Sequence, residues 1–348
     1  MKCSVVILNW NGAAMLRRYL PSVMKWTADE DTEVVVADNG STDASIEVLD
    51  EMNKTAVRPV RVIRLSENYG FAEGYNRALE QVDAEYTVLL NSDVEVTEGW
   101  LTPLISYLDQ HADVAAVQPK IRSWVHRFEP QEGMQAVERF EHAGAAGGHI
   151  DYLGYPFCRG RILSYVEDDR GQYDSQQQVF WTSGACMCVR TRIYKECGGL
   201  DSDFFAHMEE IDLCWRLNSR GWKLMCLPES VVYHLGGGAL PYESPRKLFL
   251  NFRNSLLMLY KNLPASRLWW TMGARCVLDY VAMMQYLVKG EGKNAQAVVK
   301  ARMAYHQMRG AYKQKRKENL SLAVVKFPTI IYRRSIIFDW FVRKRRTF

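Results

Sequence analysis

The first 120 residues alternate between short apolar runs and longer amphipathic stretches. Val5–Leu8, Glu33–Ala37, Val60–Leu65 and Thr87–Leu90 are rich in Val, Ile and Leu and predict buried strands. Between them, Ala13–Lys25, Ser45–Met52, Ala72–Val82 and Trp100–Gln110 read as helices. This rhythm predicts an α/β fold, a mainly parallel sheet flanked by helices. Residues 121–178 are rich in Gly, Tyr and Arg and weakly periodic, the mark of a long functional or mobile segment. From Val179 the pattern resumes, with an expected strand through Val189, a helix from Thr191 and a turn at 198–201. A helix over about Met208–Arg220 and short strands at Lys223–Leu227 and Val231–His234 follow. Beyond Gly236-Gly-Gly238 the chain becomes long, basic, aromatic helices. The expected division is a catalytic unit over 1–240, split into a nucleotide-binding half (1–120) and an acceptor half (121–240), then a helical region over 241–348.

Charge sharpens that division. The net of +4 over 348 residues conceals 22 Lys+Arg against 35 Asp+Glu in residues 1–239, and 22 against 5 in 240–348. An acidic body with a tail of net +17 points to an anionic surface as partner, membrane lipid before nucleic acid because the body is acidic. Leu268–Val288 is the candidate membrane span, but Arg275 and Asp279 sit near its centre, each costing about 2.5–3.5 kcal/mol there. Its apolar residues (Leu268, Trp269, Met272, Cys276, Val277, Tyr280, Met283, Met284, Leu287) fit an amphipathic helix on a membrane or packed on the body. The eight cysteines form no C-x-x-C pair and read as small hydrophobes, with Cys186 and Cys188 on one strand face. The chain enters its first strand without a leader, so the expected compartment is the cytoplasm.

The chemistry clusters where strands end. In an open α/β sheet, ligands bind beyond the carboxyl ends of the strands. Asn91-Ser92-Asp93 ends the fourth run, and a carboxylate there suits a hard divalent cation shared with a substrate diphosphate. Asp38 ends the second run and can accept from the N3–H of uracil or thymine, whereas Asp43 reads as a helix cap. Asn9, Asn11 and Gly12 follow the first run and offer amides to a nucleoside at a helix start. No G-x-G-x-x-G follows, which disfavours a dinucleotide oxidoreductase. Asn68, Gly70 and Asn76 mark another strand-to-helix junction, with Asn76 expected to face back to the site. Downstream, Glu209 and Glu210 open a helix, as a general base or as acids favoured by the helix dipole. His234 ends a strand and suits a metal ion of the Mn2+ kind, or a structural role.

In order, Val5–Gly12, Val36–Asp43, Asn68–Asn76, Leu90–Val94, Ser183-Gly184-Ala185, Gly198–Phe205, Glu209–Asp212 and Val232-Tyr233-His234 resemble the inverting family 2 glycosyltransferases, in their rhamnosyltransferase-like branch. The resemblance covers about residues 3–262. It implies a GT-A fold, a nucleotide-diphosphate sugar donor (dTDP-rhamnose or a UDP-sugar) and a divalent metal, Mn2+ or Mg2+. It implies Asp38 as base reader, Asp93 as the acid of a DxD-like motif and His234 as a further metal ligand. It implies Glu209-Glu210 as the catalytic acidic pair, with Glu210 as base in a single displacement. Two positions depart from the pattern: Asn91 replaces the first DxD acid, and Glu210 stands where Asp is usual. No Gln-x-x-Arg-Trp follows the pair, which disfavours a processive synthase. The basic tail fits a lipid-linked glycan acceptor at a membrane surface. A sugar nucleotidyltransferase and a non-catalytic glycan- or lipid-binding protein are the alternatives.

Overall fold

A computed structural model describes residues 1–27, 29–130, 136–236 and 244–348. Gly237 and Gly238, like the expected boundary at 240, lie outside the described residues. The strands are β1 (Cys3–Asn9), β2 (Thr32–Asn39), β3 (Arg61–Leu65), β4 (Tyr86–Asn91), β5 (Val94–Val96), β6 (Val114–Ser123), β7 (Gly148–Ile150), β8 (Pro156–Cys158), β9 (Arg161–Ile162), β10 (Tyr165–Val166), β11 (Gln177–Gln178), β12 (Cys186–Arg190) and β13 (Lys223–His234). The helices are α1 (Ala13–Trp26), α2 (Ser45–Thr55), α3 (Gly70–Glu80), α4 (Leu101–Gln110), α5 (Trp124–Phe128), α6 (Thr191–Glu196), α7 (Glu209–Ser219), α8 (Pro245–Asn262), α9 (Ala265–Val288), α10 (Gly292–Met308), α11 (Tyr312–Ser321) and α12 (Ile336–Phe341).

The main sheet runs β11-β13-β6-β12-β4-β1-β2-β3, with β5 beside β13. The block β4-β1-β2-β3 is parallel, and β12 enters antiparallel between β4 and β6. The period of two places Cys3, Val5 and Ile7 under α1, α2 and α4, while Val6 and Leu89 meet α3, α7 and α8 on the opposite face. Cys186 and Cys188 share one face of β12, are buried, and stay protonated thiols because burial raises both. The core on the α7 face includes Leu256–Leu259 of α8, so the first C-terminal helix is built into the same core as the sheet.

Three expectations change. Residues 179–185 form no strand: only Cys186–Arg190 pairs with β4, and Ser183–Ala185 turns across the strand ends. The two short strands near 223–234 are one strand with an irregularity between Leu227 and Val231. The weakly periodic 121–178 stretch contains the four-stranded sheet β10-β9-β8-β7, whose strands of two or three residues are too short to leave a periodic signal.

Helix α9 inverts the usual rule. Arg275 and Asp279 are buried, Arg275 against Ser255 and the carbonyls of Leu153 and Gly154, and Asp279 against Arg302. Trp269, Trp270, Val277, Val281, Met284 and Val288 face outward, with Trp270 at 86% and Val288 at 85% exposure. Of the predicted stripe, Leu268 packs inward, whereas Trp269, Val277, Tyr280, Met284 and Leu287 do not. Among the described residues, no helix is long and apolar enough to cross a membrane.

Candidate functional site

Strand register assembles the nucleotide side. Asn9 pairs with Asp38 across β1 and β2, and Leu8 with Asn91 across β1 and β4, so three strands end side by side. Asn9 Nδ2 donates to Asp38 Oδ1 (3.1 Å) and Ser41 N donates to Asp38 Oδ2 (3.0 Å). Each oxygen retains a lone pair, so the carboxylate is oriented but not saturated. Asn11, left-handed at φ 49°, accepts from Thr42 N (2.7 Å), and its own N–H donates to Ser41 Oγ (2.9 Å). A side chain on Gly12 would collide with Asn9 Oδ1 at 2.3 Å, with Ser92 Oγ next at 3.9 Å. Asp43 accepts from Ser45 N and from Ala13 N (both 3.0 Å), tying the starts of α1 and α2 together.

The 68–76 junction is a structural turn. Asn68 Oδ1 accepts from Gly70 N (2.9 Å) and Asn39 Nδ2 (3.2 Å). Gly70 is left-handed at φ 79°, and a Cβ there would stand 2.5 Å from the Phe205 ring. Asn76 departs from expectation: Nδ2 donates to Leu200 O (2.8 Å), while Oδ1 accepts from Leu200 N (2.9 Å) and the Tyr194 hydroxyl (2.7 Å). Its amide holds α3 to the 194–200 segment and does not face the site.

The pairing of β13 with β5 sets His234 opposite Val94, beside Asp93. His234 Nε2 lies 3.1 Å from Asp93 Oδ1 and 3.4 Å from Asn91 Nδ2, and Nδ1 lies 3.3 Å from Glu141 Oε2. Glu141 escaped the sequence reading because it lies in an aperiodic stretch, 93 positions from its partner. Burial opposes charge on the imidazole, but Asp93 and Glu141 outweigh it and raise the His234 pKa well above its ordinary value. Burial raises the Asp93 carboxyl, yet His234 pulls it below the usual range, and Glu141 falls to about 2 by the same contest.

Among the described residues, no three acidic, histidine or cysteine side chains converge as a closed metal cage. The Asp93 carboxylate and Nε2, with Glu141 behind Nδ1, fit an ion that takes its remaining ligands from a diphosphate. A carboxylate behind the ring nitrogen that does not bind metal is the usual way such a histidine is oriented.

Glu209 and Glu210 open α7 across from Ser183–Ala185. A Cβ on Gly184 would stand 3.8 Å from Glu210 Cβ and 3.4 Å from the Phe71 ring. Burial raises the Glu210 carboxyl to about 7; burial, and then the Glu210 charge, raise Glu209 well above its ordinary value. Glu209 Oε2 and Glu210 Oε2 are both buried without a hydrogen-bond partner, so each has an oxygen available for substrate. A buried carboxyl poised near neutral pH is chemically suited to taking up a proton.

Residues 4–170 match the family model described as Glycosyl transferase family 2. The chain is 27% identical over 241 residues to an N-acetylglucosaminyl-diphospho-decaprenol L-rhamnosyltransferase of Mycobacterium tuberculosis, covering 66% of this chain and 75% of the relative. By structure it resembles a mannosyltransferase from Pyrobaculum calidifontis in complex with GDP-Man and Mn2+ (TM-score 0.54, 15% identity, 92% of this chain and 84% of that one). It also resembles GalNAc-T7 with UDP, GalNAc and Mn2+ (TM-score 0.59, 20% identity), covering 76% of this chain but only 48% of that one. The two solved structures share the architecture, and the family match runs through β1, β2 and β4, whose ends carry Asn9, Asp38 and Asn91. The chain carries a glycosyl transferase family 2 domain on a GT-A-like fold and is a glycosyltransferase.

Proposed function

We propose that the chain moves a sugar from a dTDP- or UDP-linked donor to a hydroxyl of a lipid-linked glycan by a single inverting displacement. The observation that carries this reading is the gathering of Asp38 and the Asp93–His234 pair at neighbouring strand ends, with the Glu209-Glu210 start of α7 facing the Ser183–Ala185 turn. Asp38, held by Asn9 and Ser41, accepts from the pyrimidine N3–H. Asn11, Gly12, Asn68 and Gly70 shape the wall around the nucleoside, and Asn91, Ser92 and Gly184 lie towards the diphosphate and sugar. A Mn2+ or Mg2+ ion held by Asp93 and His234 would supply positive charge beside the departing diphosphate. Glu210 takes the proton of the acceptor hydroxyl. The oxygen attacks the anomeric carbon from the side opposite the nucleoside diphosphate, which leaves with the bonding pair. Glu209, kept protonated, adds no second negative charge beside the base.

The mycobacterial relative is named for a rhamnose transfer onto a decaprenol-linked sugar, which supports dTDP-rhamnose and a lipid-carried acceptor. The net +17 of residues 240–348 and the outward Trp269–Trp270 face of α9 support seating on an anionic membrane, at its cytoplasmic face. Calorimetric titration with UDP, dTDP and GDP, each with and without Mn2+, tests the donor site. Metal-dependent binding of UDP or dTDP but not GDP is expected. Failure of a folded sample to bind any of the three overturns the reading.

A further inference from the structure

The segment that delivers the acidic pair is bent against its own preference. Between the short turn at Ser202–Phe204 and α7, Phe205, His207 and Met208 all have positive φ (64°, 69° and 74°), and none is glycine. Phe205, at φ 64° and ψ −59°, forms a tight three-residue turn in which Ala206 N–H donates to Phe204 O at 2.7 Å. That turn type is rare and strained. Such conformations persist only where the surroundings over-determine them.

The restraint comes from α8, far along the chain and outside the matched residues 4–170. Asn254 is fully buried. Its Nδ2 stands within hydrogen-bond distance of three carbonyls of this one segment: Phe204 O (3.0 Å), Ala206 O (2.9 Å) and His207 O (2.7 Å). Arg253 Nε donates to Asn254 Oδ1 (2.8 Å), and Arg253 Nη2 donates to Asp203 O (3.0 Å) and Phe204 O (3.1 Å). The gripped segment reaches the nucleotide side as well. Phe205 O accepts from Phe71 N (2.8 Å) and Ala72 N (3.3 Å), and its ring lies against Gly70.

We propose that Asn254 is a positioning residue: its amide holds the left-handed 205–208 segment in the shape that presents Glu209 and Glu210 to the acceptor. A purely structural role for α8 is already served elsewhere on the helix. Lys261 Nζ donates to Asp201 (2.6 Å) and Asp212 (2.7 Å), and Asn262 Nδ2 donates to Asp212 (2.8 Å). With those anchors intact, loss of the Asn254 amide frees the loop without undocking the helix.

The inference rests on the reading of Glu209-Glu210 as the acidic pair, and the test separates the two. Asn254→Ala and the milder Asn254→Ser, which keeps one donor, are compared with the wild type in the full chain. The readouts are amide hydrogen exchange of residues 203–212, calorimetric binding of UDP and dTDP with Mn2+, and nucleoside-diphosphate release from dTDP-rhamnose and UDP-sugars. The expected result is at least tenfold faster exchange confined to 203–212 and the start of α3, with nucleotide affinity within about threefold of wild type. A kcat loss of about 30-fold or more should accompany it, smaller in Asn254→Ser, with the acid limb of the pH profile displaced. Unchanged exchange at 203–212, or exchange raised equally throughout the chain in Asn254→Ser, overturns the proposal. If Glu210→Gln leaves turnover intact, the reading of the pair fails instead, and the exchange data still decide whether Asn254 holds the loop.

Discussion

Glu210→Gln removes the proposed base and leaves the shape of the side chain, and the structure predicts opposite effects on turnover and on stability. Glu210 Oε2 has no partner to lose, and the amide is neutral at every pH. The carboxyl sits at about 7 against an ordinary 4.5. At roughly 1.4 kcal/mol per pH unit, the folded chain prefers the protonated form by about 3 kcal/mol. Partial access to water reduces the useful figure to about 1–2 kcal/mol. Because the folded-state pKa is raised, this stability is whole below about pH 4.5. It drains as the pH rises towards 7 and is gone above it. The glutamine variant should therefore melt roughly 2–6 °C above wild type at pH 8 and nearly with it at pH 4.5. Nucleoside-diphosphate release should fall by about 10²–10⁴, the usual contribution of a positioned general base. Wild-type turnover should rise with pH through about 7. Thermal melts at the two pH values and initial rates across pH 5–9 provide the check. A melting difference independent of pH, or turnover within about threefold of wild type, would refute the reasoning.

Other sites yield equally direct tests. Asp38→Ala removes the acceptor aimed at the pyrimidine and releases Asn9 and Ser41; UDP and dTDP affinity should fall about 10- to 100-fold by calorimetry. His234→Ala should abolish the Mn2+-dependent part of nucleotide binding while leaving weaker metal-free binding, and equal metal dependence in wild type and variant would contradict its role. Gly70→Ala forces a Cβ to within 2.5 Å of the Phe205 ring at a left-handed φ, so about 2 kcal/mol or more of stability should be lost in denaturant unfolding. Trp269→Ser with Trp270→Ser should weaken co-sedimentation with anionic vesicles at unchanged melting temperature, since both rings are exposed; unchanged vesicle binding would count against α9 as the seating face.

The sequence by itself determined the elements of the nucleotide half. Its apolar runs and helical periods marked β1 to β4 and α1 to α4 to within a few residues, because each is long enough to carry its own period. The strand-end rule then located Asp38 and Asp93, since in a parallel sheet neighbouring strands end on one edge. Tertiary structure decided the rest. The approach of Glu141 to His234 depends on β13 and a loop 93 positions away meeting at one point, which no local pattern encodes. Asn76 faces Leu200 because packing of α3 against the 194–200 segment, not the helix period alone, chose its partner. The charges of α9 lie inside because Ser255, Arg302 and two carbonyls are there to meet them, so the face that reads as apolar is left outside. Asn254 looks in sequence like one polar residue in a helix. Its meaning arises only where that helix crosses a strained loop whose carbonyls have no other way to be held.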